Sequence, residues 1–505
     1  MNKPIVIIGA GTVGLYLAHE LMLKGLEIIL IDAGGEEMES FSTDEFENVG
    51  HFSNGLSIGR AKGIGGTSNL WGGQLAEFVS EDINRKDAYN QPNWLYSYDS
   101  IAKHYSKVYK KLGFKFPVDD KSEVLYSEEN KSTLLERFYT LWLKFPNFKS
   151  HFYGDLLKSE KVKIYQNQIV KCFRYNGETC IGIELYGQDS IITNFSKIIL
   201  ANGTIEIVRL LLMEQRNSLC PFKENMNIGK FFQDHLNLKI GVVKNPSKQF
   251  FSLFSNRIIS SEKWQPKLRL RSLDNKFVGV SGYFSFSNQY AQHIDNFKQF
   301  VKAVTGRNPN SGGLKGLVKL FFRTLKAIPN VAPLVYRYIV ENRIHIPFDS
   351  KVNVCIQSQQ VSIFDSKISI SNTELDSYGR AKVLLDWKID GREILSIQKF
   401  ASVLKKHLEN ENLGEIIFEP WLFNSDSNSS WLKEVTDIYH HSGGAIMGNS
   451  NANGVVNTNF KVFNTSNIYL CGACIMPTSS YANTGLTSLA LTSMLVQHLT
   501  ENLNN

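Results

Sequence analysis

The stretch from Pro4 to Asp32 constrains the rest of the chain. Ile5-Val6-Ile7-Ile8 is an uncharged apolar run that reads as a strand buried on both faces. Gly9-Ala10-Gly11-Thr12-Val13-Gly14 follows without a gap, and Leu15 to Lys24 places Ala18, Leu21 and Met22 at helical spacing from Gly14. Gly25 supplies a residue tolerant of positive φ where the helix should end, and Glu27 to Ile31 is a second buried strand that closes on Asp32. Strand, glycine turn, helix, strand and acid together form the context that dinucleotide binding needs. Gly9 permits a tight turn, Gly11 lets a pyrophosphate touch the backbone, and Gly14 lets the helix press on the sheet. The helix N-terminus offers free N–H groups to the phosphates. Asp32 can accept both hydroxyls of an adenosine ribose and would repel a 2′-phosphate, which disfavours NADP.

A chain of 505 residues has room for two or three domains. Its net charge of +7 is modest for that length, and no arginine-rich arm or nucleic-acid module stands out, so no nucleic-acid partner is expected. No apolar run approaches the ~20 residues that cross a bilayer. The first strand begins too early to leave room for a signal peptide, so a cytoplasmic location is expected. The six cysteines are scattered and read as free thiols of a reducing compartment. Cys471-Gly-Ala-Cys474 has redox-motif spacing, but it ends an apolar strand instead of opening a helix and reads as small core residues. No bound metal is expected.

Gly59 to Gly73 holds six glycines in fifteen residues, so its backbone comes close to something. Arg60 and Lys62 suit an anion such as a pyrophosphate, and Trp71 must pack. The run Gly63-Ile64-Gly65-Gly66-Thr67-Ser68 resembles the glycine-rich signature of the GMC (glucose–methanol–choline) oxidoreductases, which are FAD-dependent alcohol oxidases and dehydrogenases. Trp71 looks closest to the pyranose oxidase branch, where a preceding histidine bonds FAD covalently. Leu70 stands there in this sequence and has no nucleophile, so a non-covalent flavin is implied.

The stretches Pro92 to Tyr105, Lys197 to Glu206, Gly229 to His235 and Asp376 to Trp387 also resemble segments of the family. The resemblance implies flavin contacts at Ala33, Gly65, Gly66, Thr67, Ala201, Gly203, Gly472, Ala473 and Thr484, and at Val170, taken as the end of a strand from Val162. His235 reads as structural, because nothing near it pairs it with a base.

Tyr439-His440-His441-Ser442-Gly443-Gly444-Ala445-Ile446-Met447-Gly448 resembles the family's catalytic segment, with His440 three residues before Gly443 and Asn483 in the second catalytic place. Gly444 and Ile446 depart from the threonine and arginine common there. Oxidising an alcohol removes a hydroxyl proton and a hydride. Neutral histidine suits the proton, an asparagine amide can bond the substrate oxygen, and flavin N5 takes the hydride. His441 stays open, either as a substrate-orienting group or as the base in a shifted register.

The implied fold is α/β (α+β overall), with an FAD-binding Rossmann-like βαβ domain from residues 1–80, 155–240 and 432–505. A substrate domain on a mostly antiparallel sheet takes 81–154 and 241–431. Leu314 to Ile328 puts Lys315, Lys319, Arg323 and Lys326 on one helical face and apolar residues on another. It reads as a lid helix with a solvated basic face, the alternative being peripheral contact with the inner membrane face.

The expected function is FAD-dependent oxidation of the CH–OH group of an alcohol. By analogy this is a sugar or polyol, free or carried on a lipid or nucleotide, with O2 or another acceptor reoxidising the flavin. An NAD-dependent dehydrogenase would leave Gly59 to Gly73 and the C-terminal segments without purpose. A non-catalytic flavin-binding protein would leave His440 and Asn483 without one.

Overall fold

The computed structural model describes residues 3–84, 89–114, 123–127, 133–259, 262–272, 276–287, 346–423 and 430–501. The basic segment 314–328 lies outside them. Five short apolar strands form a parallel sheet in the order Ile468–Leu470, Lys197–Leu200, Ile5–Ile8, Ile28–Ile31, Val162–Tyr165. Ile5–Ile8 sits at the centre with all four side chains buried, because both faces of the sheet are covered. From this strand the chain continues to Ile28–Ile31 on one side, while Lys197–Leu200 pairs on the other. Such a change of direction opens a crevice at the carboxyl ends of the strands. Three helices begin around that crevice: α1 (Thr12–Leu23), α2 (Thr204–Glu214) and α3 (Thr484–Glu501).

Helix α1 starts at Thr12, three residues before the expected Leu15, so Gly14 lies in its first turn. A Cβ on Gly14 would sit 1.8 Å from the Gly9 carbonyl oxygen, which only glycine avoids. Gly25, at φ +85°, ends the helix. The single strand expected from Val162 to Val170 is in fact two. Val162–Tyr165 belongs to the parallel sheet, Asn167 turns the chain at φ +55°, and Val170–Asn176 opens an antiparallel hairpin with Thr179–Leu185.

Among the described residues, a nine-stranded antiparallel sheet forms the second layer and includes Thr133–Trp142, Leu236–Lys244, Glu262–Ser272, Val280–Ser287 and Lys351–Ser358. Gln74 and Leu75 also join it, by pairing with Trp142 and Leu141. The helix Tyr98–Lys111 buries Ile101, Tyr105 and Val108 and packs on α3. There the His104 ring meets Ser493 Oγ at 2.9 Å, and the Tyr105 hydroxyl meets Thr487 Oγ1 at 2.9 Å. Cys471 and Cys474 are buried free thiols. Burial pushes Cys471 up to about 12 and raises Cys474 as well, as expected of inert core cysteines. No helix among the described residues is long and apolar enough to cross a membrane.

Candidate active site

A cavity of about 650 Å³ occupies the crevice. Its wall takes in Gly9 and Gly11 of the turn, Asp32 and Ala33, and Arg60, Gly66, Thr67, Leu70 and Trp71 of the glycine-rich loop. Val170, Ala201, Gly203, Gly472, Ala473, His440, His441, Asn483 and Thr484 complete it. Gly14 and Gly65 do not reach the wall. Gly14 is spent on the turn, and Gly65, at φ +98°, donates its N–H to the Ala10 carbonyl at 2.8 Å. Trp71 is fixed by donation from Nε1 to the Pro146 carbonyl at 2.8 Å.

Asp32 differs from the expectation. Its Oδ2 accepts Ala10 N–H at 2.7 Å, while Oδ1 accepts Gly34 and Gly63 N–H at 2.9 and 3.1 Å. A carboxylate offers about four lone-pair sites. Three already tie the turn to the glycine-rich loop, which leaves room for one ribose hydroxyl instead of two.

Among the described residues, seven on the cavity wall carry buried polar atoms without a hydrogen-bond partner: Arg60 Nη2, Trp142 Nε1, Gln168 Oε1, Asn202 Oδ1, Arg209 Nη1, His441 Nε2 and Asn483 Oδ1. Each such group costs about 1–3 kcal/mol while unmet, so the cavity is built to be filled by a polar ligand. In the ionic network of the wall, Arg60, Lys62, Arg209 and Arg380 meet Glu45, Glu206 and Asp376, one cation more than the carboxylates they pair with, and Asp32 is a further acid on the wall. Burial acts to raise the pKa of Glu206, yet Arg209, Arg380 and Arg60 bring it down to about 2. The open N-terminus of α1, this surplus cation and the glycine turn fit a dinucleotide pyrophosphate.

The catalytic pair of the sequence comes together. Asn483, at the head of α3, points Nδ2 at His440 Nε2 at 3.2 Å. His441 does not share this contact: its Nε2 faces Asp234 Oδ2 at 3.8 Å, and its carbonyl accepts from Thr204 Oγ1 at 2.8 Å. A Cβ on Gly55 would lie 2.4 Å from His441 Nε2, so glycine makes room for this ring.

The expectation that nothing near His235 pairs it with a base is corrected: its Nδ1 lies 3.0 Å from His440 Nδ1, and the rings meet edge to face. Two hundred residues of intervening chain hid this pairing. The missed signal was Asp234 beside it. Asp234 Oδ1 accepts the backbone N–H of both His235 and His440, at 2.7 and 3.0 Å, and so clamps the two segments together. Lys267 was also missed. It is buried on the strand Glu262–Ser272, donates to Gln357 Oε1 at 2.7 Å and pairs with no carboxylate among the described residues. Desolvation brings its amine down to about 7.

Burial, reinforced by Asp437, pushes Asp234 up to about 8, so this carboxyl is protonated at neutral pH. A folded-state pKa raised above the ordinary value means that the folded state holds the proton more tightly. The resulting stability is lost as pH rises from about 4 to about 8. Asp234→Asn keeps both backbone acceptor bonds and removes this loss. Its unfolding free energy, relative to the parent, is expected to grow between pH 5 and pH 8 by at most about 1.4 kcal/mol per pH unit. Urea unfolding at both pH values checks this, and a constant difference would refute it.

Residues 365–492 match the family model described as GMC oxidoreductase. No curated sequence matches the chain significantly. Among solved structures, pyridoxine 4-oxidase from Mesorbium loti superposes with a TM-score of 0.56 at 14% identity, covering 99% of both chains. An FAD-dependent oxidoreductase from Chaetomium thermophilum, in complex with a butanamide fragment, does so with a TM-score of 0.58 at 14% identity over 100% of both chains. These likenesses establish the shared fold.

Proposed function

From a chain whose residues 365–492 match the GMC oxidoreductase family model and whose whole length shares the fold of a solved FAD-dependent oxidoreductase, we propose an FAD-dependent enzyme that oxidises an alcohol CH–OH group to a carbonyl. The observation that carries the reading is the contact of His440 with Asn483 on the wall of a cavity suited to an anionic dinucleotide. FAD, held without a covalent bond, would supply the hydride acceptor. Gly9, Gly11, Gly66 and the N-terminus of α1 would hold its pyrophosphate, and Asp32 would bond a ribose hydroxyl.

An alcohol oxygen that replaces the direct 3.2 Å contact of Asn483 with His440 accepts from Nδ2 and donates its proton to the Nε2 lone pair so freed. His440 acts as general base, and Asn483 stabilises the oxygen as negative charge develops. His440 is half-buried and its pKa lies well below the ordinary value, through desolvation and then His235, Lys267 and His441. The imidazole is therefore neutral and ready to accept a proton at neutral pH. The structural neighbour named pyridoxine 4-oxidase favours a hydroxymethyl group on an aromatic ring as one substrate class. Trp71 in the glycine-rich loop favours a sugar or polyol. Either O2 or another acceptor would reoxidise the flavin.

The experiment is anaerobic titration of the yellow protein with a panel of primary aromatic alcohols, free sugars, nucleotide sugars and lipid-linked sugars. Bleaching of the flavin absorbance by one class supports the reading and names the substrate class. Protein that neither carries nor takes up FAD overturns it.

A further inference from the structure

We propose that His235 is a positioning residue that fixes the tautomer of His440, leaving the His440 lone pair on Nε2, where it meets Asn483 and the cavity. The proposal rests on the reading of His440 as the base. It follows from counting protons along one chain of contacts. The Ser479 carbonyl oxygen can only accept, and His235 Nε2 lies 3.1 Å from it, so His235 carries its proton on Nε2. The His235 ring is fully buried and neutral, held down to about 4 by desolvation, so it has one N–H and its Nδ1 is a bare lone pair. His440 Nδ1 is 3.0 Å from that lone pair and must donate to it. His440 then has no proton on Nε2, which agrees with an Asn483 amide donor at 3.2 Å.

The alternative His440 tautomer, with Nε2–H, could not take a proton from a substrate and would leave two lone pairs facing each other across 3.0 Å. Asp234 holds the geometry by accepting the backbone N–H of both histidines. When the substrate O–H breaks, the proton forms a new Nε2–H bond on His440 and the Nδ1 proton stays where it was. The resulting imidazolium is met by the His235 lone pair in a charge-assisted hydrogen bond. A second histidine thus serves at both ends of the proton transfer without touching the substrate.

The first arm of the test needs no substrate. In FAD-loaded protein labelled with 15N-histidine, two-bond nitrogen–proton correlations report which ring nitrogen carries the proton, and His440→Gln assigns the His440 signals. A protonated Nδ1 and a bare Nε2 on His440 are expected, and an Nε2–H tautomer in the parent protein overturns the proposal. The second arm is kinetic. The substitution His235→Asn offers an amide oxygen near the place of the lost Nδ1 lone pair, whereas His235→Ala offers nothing.

The limiting rate of anaerobic flavin reduction is expected to fall about 100-fold in His235→Ala and to recover to within about tenfold of the parent in His235→Asn. Equal losses in both variants, following their thermal stability, would mean that the residue only holds the fold. If no alcohol reduces the parent flavin, the proposed activity fails, while the tautomer measurement still decides this inference. If His235→Ala does not fold, the spectrum of the parent protein decides it.

Discussion

His440→Ala is expected to slow flavin reduction by alcohol about 100- to 10,000-fold, the usual worth of a general base, while FAD stays bound. The separation of the two effects is structural. The side chain of His440 meets Asn483 and His235, while the turn after Ile5–Ile8 and the N-terminus of α1, which would hold the pyrophosphate, are other segments of the cavity wall. Removing the imidazole leaves those segments intact. The measurement is the flavin absorbance of the purified variant, followed by anaerobic stopped-flow reduction. A variant reduced at the parental rate would rule out His440 as the base.

The pH profile of the parent protein carries the same argument. The groups facing His440 are His235, His441, Lys267 and the protonated Asp234. Burial first, and then the neighbouring His235, Lys267 and His441, favour the neutral ring. A base with a lowered pKa keeps its lone pair as pH falls. The acid limb of the reduction rate is therefore expected below pH 6.5, the ordinary histidine value. An acid limb above pH 7 would contradict the burial of this ring.

Local grammar made much of this architecture legible. The turn from Gly9 to Gly14 could be read because its glycines, flanking apolar runs and closing acid lie within thirty residues of one another. The pair of His440 and Asn483 was legible through resemblance, since forty residues and a helix start separate the two. What escaped was contact between distant segments. Asp234 beside His235 hints at a partner without naming His440, whose ring meets His235 edge to face because a β-bridge from Gln233 to Ser442 brings the segments together. Asp32 was legible as an acid at a strand end. Its three backbone partners come from Ala10, Gly34 and Gly63, and only the folded loops reveal that they consume most of its acceptor capacity. Lys267 escaped for a different reason. An alternating strand such as Glu262–Ser272 ordinarily turns its lysines to water, and here the face that carries Lys267 and Arg269 is buried.

Arg209→Met is expected to be the most damaging single change to stability, at about 3–5 kcal/mol, the usual cost of removing one partner from a buried ion pair. Arg209 is 1% exposed. Its Nη2 donates to Asp376 Oδ2 at 2.7 Å, and its Nε donates to the Ala381 carbonyl at 2.9 Å. It also lies 3.6 Å from Glu206 and 3.8 Å from Glu45. One side chain on α2 therefore joins the segment around Glu45 to the turn from Asp376 to Arg380.

Methionine fills much of the volume but strands the Ala381 carbonyl and weakens the neutralisation of three carboxylates. It also removes the surplus positive charge that suits a pyrophosphate, so FAD retention should fall together with stability. Arg209→Lys separates the two effects, because it keeps the charge but loses the planar fork. It should retain FAD better than Arg209→Met while still being destabilised. The depressed pKa of Glu206 sets the pH range. A carboxylate held at about 2 contributes stability that is present above pH 4.5 and is lost as pH falls toward 2. The gap between Arg209→Met and the parent should therefore be largest at neutral pH and narrow in acid. Urea unfolding followed by tryptophan fluorescence at pH 7 and pH 4 measures this gap, and a difference of under about 1 kcal/mol at pH 7 would show that the network contributes little to the fold.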